Sequence, residues 1–153
     1  MTFYTVLKFL HVLLAIVAVG ANVTYGIWIG RAARDPRHLA FTLRGVKVLD
    51  DRVATPAYVL LLLTGLGMLH AGEYSWATPW LLVSLVLYGV AVVLGLLGYT
   101  PTLRRQIEML DARGPEALEY RALASRGQLI GVVLALLVVV IVFLMVAKPV
   151  LWS

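Results

Sequence analysis

Tyr4-Thr5-Val6-Leu7-Lys8-Phe9-Leu10-His11 opens, and Asn22-Val23-Thr24-Tyr25-Gly26-Ile27-Trp28-Ile29 closes, the apolar stretch that decides how this chain is read. Taking every fourth then third residue from Tyr4 collects Tyr4, Lys8, His11, Ala15, Ala18, Asn22, Tyr25 and Ile29. That spacing lies along one face of an α-helix. Leu, Val, Ile, Phe and Ala fill most of the other faces. The stretch is long enough to cross a bilayer, so its apolar faces meet lipid while the stripe must meet protein, cofactor or water. Lys8 and His11 are ionisable groups inside a span, and on that ground they mark a site hypothesis.

The rest of the composition agrees. The 153 residues are 61% hydrophobic and 14% charged, with a mean hydropathy of +0.92. A soluble domain is about half apolar and about a quarter charged, so this is the composition of an integral membrane protein. One membrane domain over 1–153 is the natural division. Four spans are expected at about 4–29, 54–71, 79–99 and 127–147, each near the roughly 20 residues needed to cross the hydrocarbon core. The fold class predicted is therefore an all-α, antiparallel four-transmembrane-helix bundle.

Charge sets the orientation. Arg31, Arg34, Arg37, Arg44, Lys47 and Arg52 lie in the loop 30–53, and Arg104, Arg105, Arg113, Arg121 and Arg126 in the loop 100–126. The short loop at 72–78 carries only Glu73. By the positive-inside rule the two basic loops are cytoplasmic and both termini are outside. The formal charge of +5 is then explained by anionic headgroups and topology, and nucleic acid is excluded as a partner. The absence of Cys removes disulfides and thiolate metal sites.

Within the first basic loop, Asp35-Pro36 starts a turn, and Leu39, Leu43 and Val46 oppose Arg44, Lys47 and Asp51 as in a helix lying at the headgroups. In the second, Gly114-Pro115 divides two helical patterns, with Pro115 suited to a first helical position. Tyr4, Tyr74, Trp76, Trp80 and Trp152 read as an outer aromatic belt, and Tyr25, Trp28 and Tyr99 as an inner one. Gly26-x-x-x-Gly30 and Gly127-x-x-x-Gly131 read as helix packing. Asn22 is expected to bond across helices.

With alternating span directions, Lys8, His11, Met68, His70, Ser84, Tyr88, Met145 and Lys148 all fall in the outer leaflet. Two histidines at similar depth on neighbouring helices suit a metal or a haem iron. Small residues on the same faces (Ala15, Ala18, Gly65, Gly95) would make room for it. Haem b is favoured over bare zinc, because no carboxylate or third histidine completes a tetrahedral shell. The metal ligands expected are His11 and His70, with Lys8, Ser84 and Tyr88 around the cofactor. Bland readings stand beside each: Lys8 snorkels to the surface, His70 sits wet at the interface, and His11 bonds a hydroxyl or carbonyl across the bundle. Met68 and Met145 are weak copper candidates. Phosphate-binding loops, zinc-protease motifs, serine-nucleophile triads and paired carboxylates within a span are missing from the sequence.

The run Leu7-Lys8-Phe9-Leu10-His11-Val12-Leu13 followed by Gly20, with a basic cluster closing the span, resembles the first helix of the HemJ and copper-resistance-D-like group of small bacterial membrane proteins. Thr64-Gly65-Leu66 and Pro79-Trp80-Leu81-Leu82 are similar too. The chain looks closest to a sister family of four-span integral membrane proteins with no assigned function. For HemJ-like members the resemblance implies haem held by the first-helix histidine, which His11 matches, and protoporphyrinogen oxidation. Those members carry a lysine early in the third helix where Ser84 stands here, which counts against that activity but not against haem. Copper-resistance-D-like members imply copper passage.

The reading that follows is a haem b-binding membrane redox protein with its cofactor near the outer leaflet. An oxidoreductase activity fits it without being required. Its expected partners are membrane lipid, a quinone or redox partner protein, and a second copy in a homo-oligomer. The alternatives are a cofactor-free membrane subunit, a copper or small-ion conduit, and a HemJ-like protoporphyrinogen oxidase.

Overall fold

A computed structural model describes residues 2–72 and 75–151. Glu73, Tyr74 and Trp152, named above at the outer interface, lie outside the described residues. Every regular element among those described is helical: α1 Phe3–Ala32, α2 Pro36–Leu49, α3 Thr55–His70, α4 Pro79–Val93, α5 Thr100–Arg113 and α6 Leu118–Ala147. Two wide-turn π segments, Asp50–Ala54 and Leu94–Tyr99, join α2 to α3 and α4 to α5. The result is four rods, Phe3–Ala32, Pro36–His70, Pro79–Arg113 and Leu118–Ala147, each apolar and long enough to span a membrane.

The rods are antiparallel. Along α1 and α3, Asn22 meets Tyr58, His11 meets Thr64, and Leu7 lies beside Gly67, so residue number rises on one as it falls on the other. Along the third and fourth rods, Lys148 stands over Trp80, Ile130 beside Gly98, and Tyr120 beside Gln106. α1 packs against both α3 and α6, and α4 against α6. α3 and α4 meet through side chains: the Tyr88 hydroxyl donates to the Tyr58 carbonyl at 2.6 Å, and the two rings stand edge-on with centroids 6.5 Å apart.

The wide turns have a visible cause. Pro56 and Pro101 each lie just after one of them. A proline inside an α-helix lacks the N–H for its i−4 partner, and its ring strikes that carbonyl. Here the i−4 residues are Arg52 and Leu97, both within the widened turns. A π bulge moves the carbonyl aside and lets the rod continue. This is why α2 and α5 are not connectors, as the sequence suggested, but continuations of α3 and α4.

Rods of 30 and 35 residues are about 45–53 Å long, against about 30 Å of hydrocarbon. The surplus gathers at one end, the basic end, where α2, α5 and the start of α6 form a helical layer. Leu39, Leu43 and Val46 are buried as the periodicity of α2 predicts, but against the other helices rather than on headgroups. They pack with Ala32, Ala54, Leu103 and Tyr120 into the main core. Arg44 and Asp111 join α2 to α5 across the surface at 2.7 Å. Toward the other end the core is smaller, built on Leu69, Trp80 and Leu81. Phe9, Ile16, Val86, Leu136 and Phe143 stand exposed along the spans, as lipid-facing residues would.

Three expectations are revised. Tyr25 is only 3% exposed and Tyr99 is half-buried, so both point into the bundle instead of joining Trp28 in an interfacial belt. Gly127 and Gly131 do pack closely, against Thr102, Gln106 and Tyr99, whereas Gly26 and Gly30 face open space. Pro115 lies in the turn after Gly114, and α6 starts at Leu118.

Candidate functional site

His11 sits eight residues into α1, half-buried against α3. Its Nδ1 lies 3.0 Å from Thr64 Oγ1. The Thr64 hydroxyl is also 2.8 Å from the Leu60 carbonyl and 3.0 Å from that of Leu61, to which it donates along its own helix. A hydroxyl has one proton to give. With that proton committed to the helix, Thr64 accepts from His11, so His11 carries its hydrogen on Nδ1 and the lone pair on Nε2. The ring also lies beside the Leu61 carbonyl. It reaches this position because residue 65 is glycine: a Cβ there would stand 3.0 Å from His11 Cε1. Thr64-Gly65 thus forms a seat, the hydroxyl fixing the tautomer and the bare backbone admitting the ring.

The other expected site residues are distributed differently. His70 is exposed at the end of α3. Six residues separate it from Thr64, a rise of about 9 Å and a rotation of about 240°, so it stands apart from the His11 seat. Lys8 is exposed, one turn from His11 on α1. Ser84 is fully buried, and its hydroxyl donates back to the Trp80 carbonyl at 2.7 Å. Tyr88 uses its hydroxyl on the Tyr58 carbonyl. Met68 and Met145 are half-buried. Lys148, in a left-handed conformation after α6, holds its ammonium 5.7 Å from the Trp80 ring centre. Among the described residues no three of His, Asp and Glu converge on one point.

The structure therefore brings His11 together with Thr64 and Gly65, and leaves His70, Ser84 and Tyr88 in other settings. Chemically, the seat offers a neutral imidazole of fixed tautomer in apolar surroundings. A histidine that binds a metal through one nitrogen almost always gives the N–H of the other to a fixed acceptor, and Thr64 is such an acceptor. The resemblance carried His11 and Thr64-Gly65 as separate motifs; their pairing follows only from the antiparallel register.

Sequence reasoning missed a second polar region, beyond Asn22 on α1. Asn22 Nδ2 donates to the Tyr58 hydroxyl at 2.5 Å and to the Ala18 carbonyl at 3.0 Å. Tyr58 and Tyr99 pack near Tyr25, and Thr100 Oγ1 lies 3.4 Å from Asp50 Oδ2. The signal available was the run of tyrosines at span ends, which also suits an interfacial belt.

The chain belongs to the family described as "Predicted integral membrane protein (DUF2269)", whose model matches residues 5–149. No curated protein and no solved structure matches it.

Proposed function

We propose that this member of the DUF2269 family is a haem b-binding redox protein of the bacterial inner membrane, with the cofactor held at His11. The observation that carries the reading is the His11–Thr64 pair. It leaves Nε2 as a base within the bundle and supplies the hydrogen-bonded support that ligating histidines require. The residues at the seat offer one imidazole, that of His11, which would hold the group. His70, about 9 Å further along α3 and turned about 240° from Thr64, is not part of this seat.

A haem held there would supply one-electron transfer between ferric and ferrous states. The protein's share is orientation and electrostatics. Thr64 keeps the imidazole in one tautomer and raises its basicity by accepting from Nδ1–H. Gly65 lets the ring approach the α3 backbone. Lys8, one turn outward, offers a cation for acidic groups of a ligand. The apolar setting of the span would limit water at the seat and so govern the potential. The positive-inside rule puts this seat in the outer half of the bilayer, where a quinone or a partner protein would exchange electrons. The relation to HemJ-like and copper-resistance-D-like proteins rests on the short motifs around His11, Thr64-Gly65 and Pro79-Trp80; a porphyrinogen-oxidising activity lacks the expected lysine at Ser84.

A second reading is favoured by a specific observation. The Ser84 and Tyr88 hydroxyls are already spent on backbone carbonyls, as in a bundle whose polar groups serve helix association alone. On that reading the chain is a cofactor-free membrane subunit.

One experiment separates them. The protein is expressed with ample haem supply, purified in detergent, and its visible spectrum recorded oxidised and dithionite-reduced. The first reading expects a Soret band that disappears in His11→Ala, of high-spin character that His70→Ala leaves unaltered. Sharp low-spin bands lost in His70→Ala would restore His70 as second ligand. A colourless preparation sinks the haem reading.

A further inference from the structure

Where the spanning bundle meets the basic-end layer, three of the four rods bring oxygen-bearing side chains together. Asp50 opens the first wide turn and Thr100 follows the second, their oxygens 3.4 Å apart. Tyr58 and Tyr99 come from the same two rods, and Tyr25 from α1 packs in the same cluster with them. Tyr25 is 97% buried by area, being 3% exposed, and its hydroxyl has no hydrogen-bond partner. The carboxylates close enough to act on that hydroxyl are Asp50 and, more weakly, Asp51. Asp50 acts in the same way on Tyr58 and Tyr99. The remaining charged neighbours are Lys47 and Asp51, which are paired with each other. Asp50 has no ion pair among the described residues.

A half-buried carboxylate without a counter-ion and a buried hydroxyl without a partner are both costly. One occupant would satisfy both. The donors are all oxygen, which is the preference of hard cations. A single uncompensated negative charge balances one positive charge, not two. π bulges on both sides of the region are the kind of local widening found at binding sites.

We propose that this cluster binds one monovalent alkali-metal cation, held by the Asp50 carboxylate and the Tyr25 hydroxyl, with Thr100, Tyr58 and Tyr99 supplying neutral oxygens. The site is independent of the His11 seat: Asn22, at its edge, is eleven residues from His11, about 16 Å along α1.

The test uses the full chain in detergent, without regard to haem content. Thermal unfolding is followed in sodium, potassium and N-methylglucamine chloride at equal ionic strength. A ligand that binds only the folded state raises Tm, so one alkali salt is expected to raise it above N-methylglucamine, saturably. Asp50→Asn should abolish the difference. Tyr25→Phe should leave Tm in N-methylglucamine no lower, since it deletes a buried hydroxyl that bonds nothing, while raising the half-saturating cation concentration about tenfold. Equal Tm in the three salts, or an undiminished cation effect in Asp50→Asn, overturns the proposal. A Tm that follows pH through Asp50 but ignores the cation also overturns it, making the occupant a proton. Should Asp50→Asn fail to fold, an unchanged half-saturation in Tyr25→Phe is decisive against it.

Discussion

At the scale of single residues, the proposed haem site turns on how one imidazole is held. His11 meets a hydroxyl whose own proton is already engaged, and a glycine that gives its ring room. Two substitutions separate these roles. Thr64→Val keeps the shape and removes the acceptor, so haem affinity measured by titration should fall about 10–100-fold while the fold persists. Gly65→Ala puts a methyl 3.0 Å from His11 Cε1 and forces either ring or helix to move. Overpacking of this kind costs about 1–3 kcal/mol, to be read as a lowered Tm in detergent together with an altered Soret position. A Gly65→Ala protein with unchanged Tm would mean that the ring does not occupy the seat.

At the scale of elements, the ends and bends of the helices follow local chemistry. α2 starts at Pro36, whose missing N–H is harmless there, behind Asp35, whose side chain accepts from the Arg37 amide at 3.2 Å. The Arg37 guanidinium beside Asp35 holds its carboxyl below the usual carboxylate range, helped by the Arg37 amide and by His38. A carboxyl depressed in the folded state supports the cap above its ordinary pKa of about 3.9 and loses that support as pH falls through and below it. Amide exchange at Arg37 and His38 should accordingly speed up between pH 5 and pH 3 beyond its intrinsic change, and should lose that dependence in Asp35→Asn. Gly114, at φ +78°, ends α5 in a conformation that L side chains avoid. Gly114→Ala should lower stability by about 1–3 kcal/mol although its Cβ would meet empty space, a strain effect visible in thermal unfolding.

At the scale of the whole molecule, the packing is uneven for a physical reason. Within lipid, apolar side chains gain little by leaving hydrocarbon for protein, so the spans associate through small residues and a few hydrogen bonds. Beyond the bilayer, water restores the hydrophobic drive, and there the rods build a dense core around the fully buried Leu43. Leu43→Ala should cost about 2–5 kcal/mol, measured as a shift of the unfolding transition. The same asymmetry fixes what is accessible from each side. The chain has no Cys, so single substitutions report cleanly. Phe41→Cys, at a position 82% exposed on α2, should react with an impermeant maleimide only from the cytoplasmic side of inverted vesicles, and Ser75→Cys only from the opposite side. Reaction of both from one side would refute the assigned topology.

What the sequence determined by itself was the number of spans, their antiparallel order and the apolar face of α2, because hydropathy and 3.6-residue periodicity are local quantities that every segment carries on its own. It also marked His11 and expected Asn22 to bond across helices, since a polar group within a span needs a partner. Only the tertiary structure decided which partner each found. The offset between α1 and α3 joined His11 to Thr64 and Gly65, and left His70 further along α3. The wide turns before Pro56 and Pro101 made long rods of what read as loops. Tyr25 and Tyr99 turned inward, although tyrosines at span ends also suit the lipid interface. Register, bulges and inward rotation arise from contacts between segments far apart in the chain, and composition and spacing within one segment carry no information about them.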